Sequence, residues 1–181
     1  NTYMLDVLAS NANELNISTL GIGDHIDETR AFLGSSVSLA LEDLARVGDQ
    51  LQFAVRLSNH AGHKFPTSYP SRRAWLHVSI TDAQDTTVFE SGAVDTDGQI
   101  SGLASDANLG NFEPHYQAIT SADQVQSYET IMENIDGDLT YTLLRAARYR
   151  KDNRVLPSGM DKAAVPETIR PRGEAFDDPD F

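Results

Sequence analysis

His60 and His63 stand three apart, directly after a period-two apolar run and beside Lys64 and Pro66. A neutral imidazole is the commonest side chain to bind a transition metal, but two of them do not complete a zinc site. A third ligand would have to come from His115, His77 or a nearby carboxylate. The competing account is that His63 hydrogen-bonds the backbone and fixes the loop ahead of Pro66. His77 alternates with Trp75 and Ser79, opposite to Leu76, Val78 and Ile80, which places it on an exposed sheet face.

The same loop carries more chemistry. From Gly62 to Arg73 it combines His63, Tyr69, Arg72 and Arg73, and Pro66 and Pro70 stiffen it. A fork of guanidinium donors beside an aromatic suits a planar anion such as a carboxylate. An ion pair within the chain would use the same arginines. A second basic group, Arg145, Arg148, Arg150, Lys151 and Arg154, would either dock an acidic partner or balance charge internally.

Asp95-Thr-Asp97-Gly98 and Asn134-Ile-Asp136-Gly137-Asp138 both have the alternating oxygen ligands and sharp-turn glycine of calcium loops. Neither has the distal glutamate of an EF-hand. For the second, Asp-Gly in the type I′ position of a hairpin accounts for the pattern. For the first, two accounts stand: a solvated acidic surface, or a calcium ion with Asp106, Asn108 and Asn111 as further ligands to Asp95 and Asp97.

No G-x-S-x-G elbow, P-loop, dinucleotide fingerprint or HExxH occurs, and no spacing pairs a nucleophile with a base. No catalytic residue is assigned, and the sequence gives no warrant for an enzyme. With no cysteine among its 181 residues, the chain carries no thiolate metal site and no covalently attached haem. Its formal charge of −13 argues against nucleic acid as a partner, and no apolar run is long enough for a membrane span. The charge is segregated: Ala74 to Leu144 contains no Lys or Arg and 12 Asp or Glu.

The elements that must position these groups change character along the chain. Residues 1–35 read as a helical lead-in, with Met4, Leu5 and Leu8 at helical spacing and Asp24 as the cap of a second helix through Phe32. Residues 36–181 read as one β domain. Val37, Leu39 and Leu41 alternate with small and polar residues, and Leu51, Phe53, Val55 and Leu57 do so again. Leu76, Val78 and Ile80 predict the next strand, turning at Thr81–Asp85 into Thr86–Glu90. Residues 92–123 lack any period, which suggests a functional or ion-bound loop. Gln124–Ile135 and Leu139–Tyr149 predict a last pair of strands. The fold class is mainly β, an antiparallel β-sandwich of jelly-roll or Ig-like type with short N-terminal helices, its alternating apolar residues pointing inward.

Three segments carry a resemblance. They are Gly62-His-Lys-Phe-Pro-Thr-Ser-Tyr-Pro-Ser-Arg-Arg-Ala-Trp-Leu-His77, Leu143-Leu-Arg-Ala-Ala-Arg-Tyr-Arg-Lys-Asp-Asn-Arg-Val-Leu-Pro157, and Asp177-Asp-Pro-Asp-Phe181. Together they resemble the haem-free C-terminal β-sandwich region of secreted multihaem c-type cytochromes. Ser68 stands where that family usually has glycine, and the CxxCH motifs of its haem part do not occur in this chain. The resemblance implies a periplasmic or extracellular setting and an upstream haem domain that the 1–35 lead-in follows. The leading expectation built on it is a non-catalytic role: packing on or shielding haems in electron transfer, with that haem domain or a cytochrome as partner. On this view His63, Tyr69, Arg72 and Arg73 face a haem or partner, the arginines suiting its propionates. The alternative is a calcium-stabilised extracellular binding or adhesion module, holding glycan or protein on an exposed face.

Overall fold

The computed structural model describes residues 2–67 and 70–181. The chain divides after Gly62 into two compact units, Asn1–Gly62 and His63–Phe181. The first strand pair therefore groups with the helices, whereas the change of period alone set the boundary at residue 36.

In the first unit, α1 (Thr2–Ser10) and α2 (Ala12–Leu15) precede α3 (Ile22–Ser35). The helix expected from Asp24 begins two residues earlier, behind Gly21 at φ 75°. Asp24 then sits in the first turn, where its charge suits the helix N-terminus. Strands β1 (Val37–Val47) and β2 (Gln50–Asn59) form an antiparallel hairpin. Leu39 lies opposite Leu57 and Leu41 opposite Val55, so one face is apolar. Phe53, Val55 and Leu57 are half-buried between exposed Gln52, Ala54 and Arg56, as the alternation requires. Leu51, expected inward, is exposed: the register slips at Asp43, which has φ 54°, and Leu51 ends opposite Arg46.

The second unit is organised around β6 (Ser127–Glu133), which pairs antiparallel with β3 (Arg73–Trp75), β7 (Leu139–Thr140) and β8 (Arg148–Asp152). Strands β4 (Val78–Thr81) and β5 (Thr87–Ser91) make a separate hairpin, as the sequence indicates. Leu76, Val78 and Ile80 do not share one strand, because the segment changes partner. Trp75 pairs with Ser127, Leu76 donates its N–H to Gln126 O, and Val78 pairs with Ser91. Leu139–Tyr149 likewise breaks into β7, a 3₁₀ turn at Leu143–Arg145 and β8. Asp136-Gly137 does turn a hairpin, but not of type I′. Only the glycine, at φ 92°, is left-handed there, which is a type I turn followed by a bulge.

Paired residues share a face, so Arg73, Trp75, Ser127, Glu129, Ile131 and Lys151 lie together on one side of this sheet. The aperiodic segment 92–126 covers that side. Ile100, Leu103 and Val125 form a buried cluster against Trp75, and Arg73 reaches Ser105 and Asp106 around α4 (Ala104–Ala107). On the other side Asp152, opposite Thr130, meets Lys64 and bridges Arg172. Every residue of β6 is buried, and a strand covered on both faces has no reason to alternate. The architecture is mainly β with short helices, and its antiparallel sheets are not closed. Among the described residues no helix is long and apolar enough to cross a membrane.

Candidate functional site

The segment from His63 to Arg73 alternates inward anchors with outward groups at both ends. His63 is exposed, its Nδ1–H directed at Lys64 O at 3.2 Å. Lys64, the next residue, turns inward and places Nζ 2.7 Å from Asp152 Oδ2, both side chains nearly buried. Desolvation pulls the Lys64 pKa below its usual value against the opposing pull of Asp152. Arg154 holds the same carboxylate through two hydrogen bonds of 2.8 Å. Phe65 extends the anchor, exchanging backbone hydrogen bonds with Val155. At the far end Arg72 is exposed and donates to Thr67 Oγ1 at 3.2 Å. Arg73 turns inward onto Asp106 as a fork, at 2.6 and 2.9 Å. Of the four groups expected to face a partner, His63 and Arg72 lie on the surface and Arg73 is committed internally. Tyr69 lies outside the described residues.

The expected calcium ligands have local partners. Asp95 Oδ1 accepts the N–H groups of Asp97 and Gln99, both at 2.9 Å. Asp106 accepts Arg73 on both oxygens and the Ile100 N–H on Oδ2. Burial pushes its pKa up, but these donors prevail and hold it below the usual carboxylate value. Asn108 Oδ1 accepts the Gly110 N–H at 2.8 Å. Asp97 and Asn111 are exposed. Asp95 and Asp106 both line a surface depression of about 490 Å³. Among the histidines, His60 bonds Ser38 Oγ at 2.8 Å in the first unit, His77 bonds Glu90 at 2.9 Å on the surface, and His115 is buried. Among the described residues no three His, Asp or Glu side chains are grouped so as to hold a metal ion.

Sequence reasoning missed the buried polar layer between β6, β8 and the segments covering them. His115 Nε2 lies 2.9 Å from Asp178 Oδ2, while its Nδ1 meets Gln126 Nε2 at 3.0 Å and Asn153 Nδ2 at 3.2 Å. The carbonyl oxygens of both amides are already occupied, Gln126 by the Tyr116 N–H and Asn153 by the Glu129 N–H. Both amides therefore present NH₂ to the ring, which assigns Nδ1 as acceptor and Nε2–H as donor. Phe181 packs edge-on to the imidazole, with centroids 5.0 Å apart. Nearby, Lys151 Nζ lies 3.0 Å from both Glu129 Oε1 and Ser127 O, with both ionic side chains fully enclosed. Glu113, also buried, accepts Ala104 N–H and Tyr116 O–H, both at 2.6 Å; burial, followed by the Glu113 hydrogen bond, pushes the Tyr116 phenol pKa up. Ser127 Oγ and Tyr141 OH are buried with no hydrogen-bond partner among the described residues.

Three of the five groups in the expected basic cluster end in this layer or at its edge: Arg148 on Glu133, Lys151 on Glu129 and Arg154 on Asp152. Internal balance accounts for those three, and Arg145 and Arg150 remain exposed. The only sequence signal for the layer is its composition, since β6 reads Ser-Tyr-Glu-Thr-Ile-Met-Glu and is too polar for an ordinary buried strand. No family model, curated protein or solved structure matches the chain.

Proposed function

We propose that the chain is a non-catalytic module of a secreted multihaem cytochrome, working in the periplasm or outside the cell. It is a β-sandwich that packs on or shields haems carried by an upstream domain, and its 63–73 segment faces them. The observation that carries this reading is the paired arrangement of that segment. Lys64 and Arg73 lock its two ends into the fold, and their neighbours His63 and Arg72 are held at the surface. Groups anchored in this way lose little entropy when a partner binds. An imidazole and a guanidinium match the edge of a haem, which offers an apolar ring and anionic propionates. The apolar face of the β1–β2 hairpin, with Leu39 and Leu41 exposed, is consistent with a module that packs against another body.

The test uses the full-length protein. His63→Ala and Arg72→Ala should alter the haem spectrum or slow electron transfer while leaving the melting temperature unchanged. Unchanged spectra and rates in both variants would overturn the assignment. So would a coding sequence without CxxCH motifs upstream of Asn1.

A further inference from the structure

We propose that Lys151 and Glu129 form an intramolecular isopeptide bond that ties β8 covalently to β6. The two side chains lie diagonally on one face of the β6–β8 pair, with Nζ 3.0 Å from Oε1. The Glu129 carboxyl carbon is one bond beyond that contact, so a small approach of the amine brings the reacting atoms together. Both side chains are shut off from water, at 3% and 4% exposure. A buried ion pair carries a large desolvation cost, whereas an amide in the same place carries no charge. Burial also lowers the Lys151 pKa, favouring the amine that the reaction requires.

The reaction balances without an oxidant or reductant. The Lys151 ammonium passes a proton to Glu129, giving an amine and a carboxylic acid. The Nζ lone pair attacks the carboxyl carbon, and the carbonyl oxygen takes up negative charge in a tetrahedral adduct. A proton moves from nitrogen to the adduct hydroxyl, the oxyanion re-forms the carbonyl, and the Cδ–OH bond breaks, so that one water departs and the Nζ–Cδ amide remains. Glu113 and Glu174 carry charges that also act on Lys151. The adduct oxygen needs donors, and among the described residues two buried hydroxyls are without partners. Ser127 is two residues from Glu129 on the same face of β6, and burial, followed by the Glu129 charge, raises the Tyr141 pKa. Among the described residues these two buried hydroxyls have no other assigned role. The other buried pair, Lys64 and Asp152, lacks this environment. There Arg154 grips the carboxylate as well, which makes it a poor electrophile.

Intact-mass measurement of the denatured, purified chain decides the matter. The expected mass is below that of the sequence by one water. Fragmentation should yield a branched peptide joining the segments around Glu129 and Lys151. Glu129→Ala and Lys151→Arg should each restore the full mass, whether or not they fold as stably. A full-mass parent protein overturns the proposal. So does a water loss that persists in both variants, which would place it at a succinimide such as Asp97-Gly98 or Asp136-Gly137.

Discussion

Asp95 and Asn134 hold the first position of the same five-residue hairpin loop. Each uses Oδ1 to accept the N–H groups of the residues two and four further on, all at 2.9 Å. In each the first N–H closes the loop on the fifth carbonyl, and a glycine at the fourth position is left-handed. Asp82 builds a third copy with Gln84 and Thr86, where the left-handed residue is Asp85 at φ 59°. The alternating oxygen groups that resemble calcium ligands are thus also the acceptors that close a tight turn.

Turn closure needs the Oδ1 acceptor and not its charge. Asp95→Asn should leave the melting temperature within about a degree, whereas Asp95→Ala or Asn134→Ala should lower it by about 2–4 °C per loop. Asp85→Gly should raise it, because glycine accepts positive φ without strain. Thermal melts of the four variants with and without chelator make the check. A fall for Asp95→Asn that chelator abolishes would mean that an ion holds the loop.

Gly92 tolerates no side chain. It has φ 75°, and a Cβ there would lie 2.4 Å from Leu76 O and 3.1 Å from the Trp75 ring. Its carbonyl also accepts the Trp75 indole N–H at 2.9 Å. Gly92→Ala should cost more than ~3 kcal/mol by chemical denaturation. Trp75 is the chain's single tryptophan, so its emission should shift to the red in the same variant.

How far the fold was legible follows from which faces are covered. β2 sits in a hairpin with one apolar face, so its period-two pattern could be read directly. β6 is buried on both faces and pairs Glu129 and Glu133 with Lys151 and Arg148 of β8, so no period survives. The helices fall within about a turn of where their spacing puts them, because that spacing is local. The break between Trp75 and Val78 depends on which strand each half pairs with, which local sequence does not encode. The same limit applies to the site. His63 and Arg72 could be singled out from one short segment, whereas the partners of His115 lie at Gln126, Asn153 and Asp178.

Acid should loosen the second unit through two aspartates. Burial raises the pKa of Asp106, but the Arg73 fork and the Ile100 N–H outweigh it, so the folded value lies below the unfolded one. In Asp178, burial is likewise outweighed, by the His115 hydrogen bond, the Asp180 N–H and the charge of Lys162. A depressed folded pKa contributes stability that is fully present above the unfolded value, near 3.9, and is lost as pH falls through the folded value. Urea midpoints should therefore decline from about pH 4 downward. The decline should be shallower in Asp106→Asn, and an equal slope in that variant would remove Asp106 from the account.

His115 should act as the clasp of the C-terminal segment. Its Nε2–H donates to Asp178, its backbone N–H donates to Glu174 at 3.1 Å, and Phe181 closes over the ring. The opposite ring nitrogen joins β6 and β8 through Gln126 and Asn153, so one imidazole bonds three segments remote in sequence. Nitrogen NMR at neutral pH should show the Nε2–H tautomer, because the two amide NH₂ groups leave no acceptor opposite Nδ1. His115→Ala should strand the Asp178 carboxylate and both amides, costing roughly 3–5 kcal/mol. The loss should also be local. Hydrogen exchange should rise first across Glu174–Asp178, while the β3–β6 amides retain their protection relative to the remaining global stability. Asp178→Asn should give a milder form of the same pattern, since an amide oxygen still accepts from Nε2–H without the charge. Exchange that rises uniformly over the second unit in both variants would make His115 an ordinary core residue rather than a clasp.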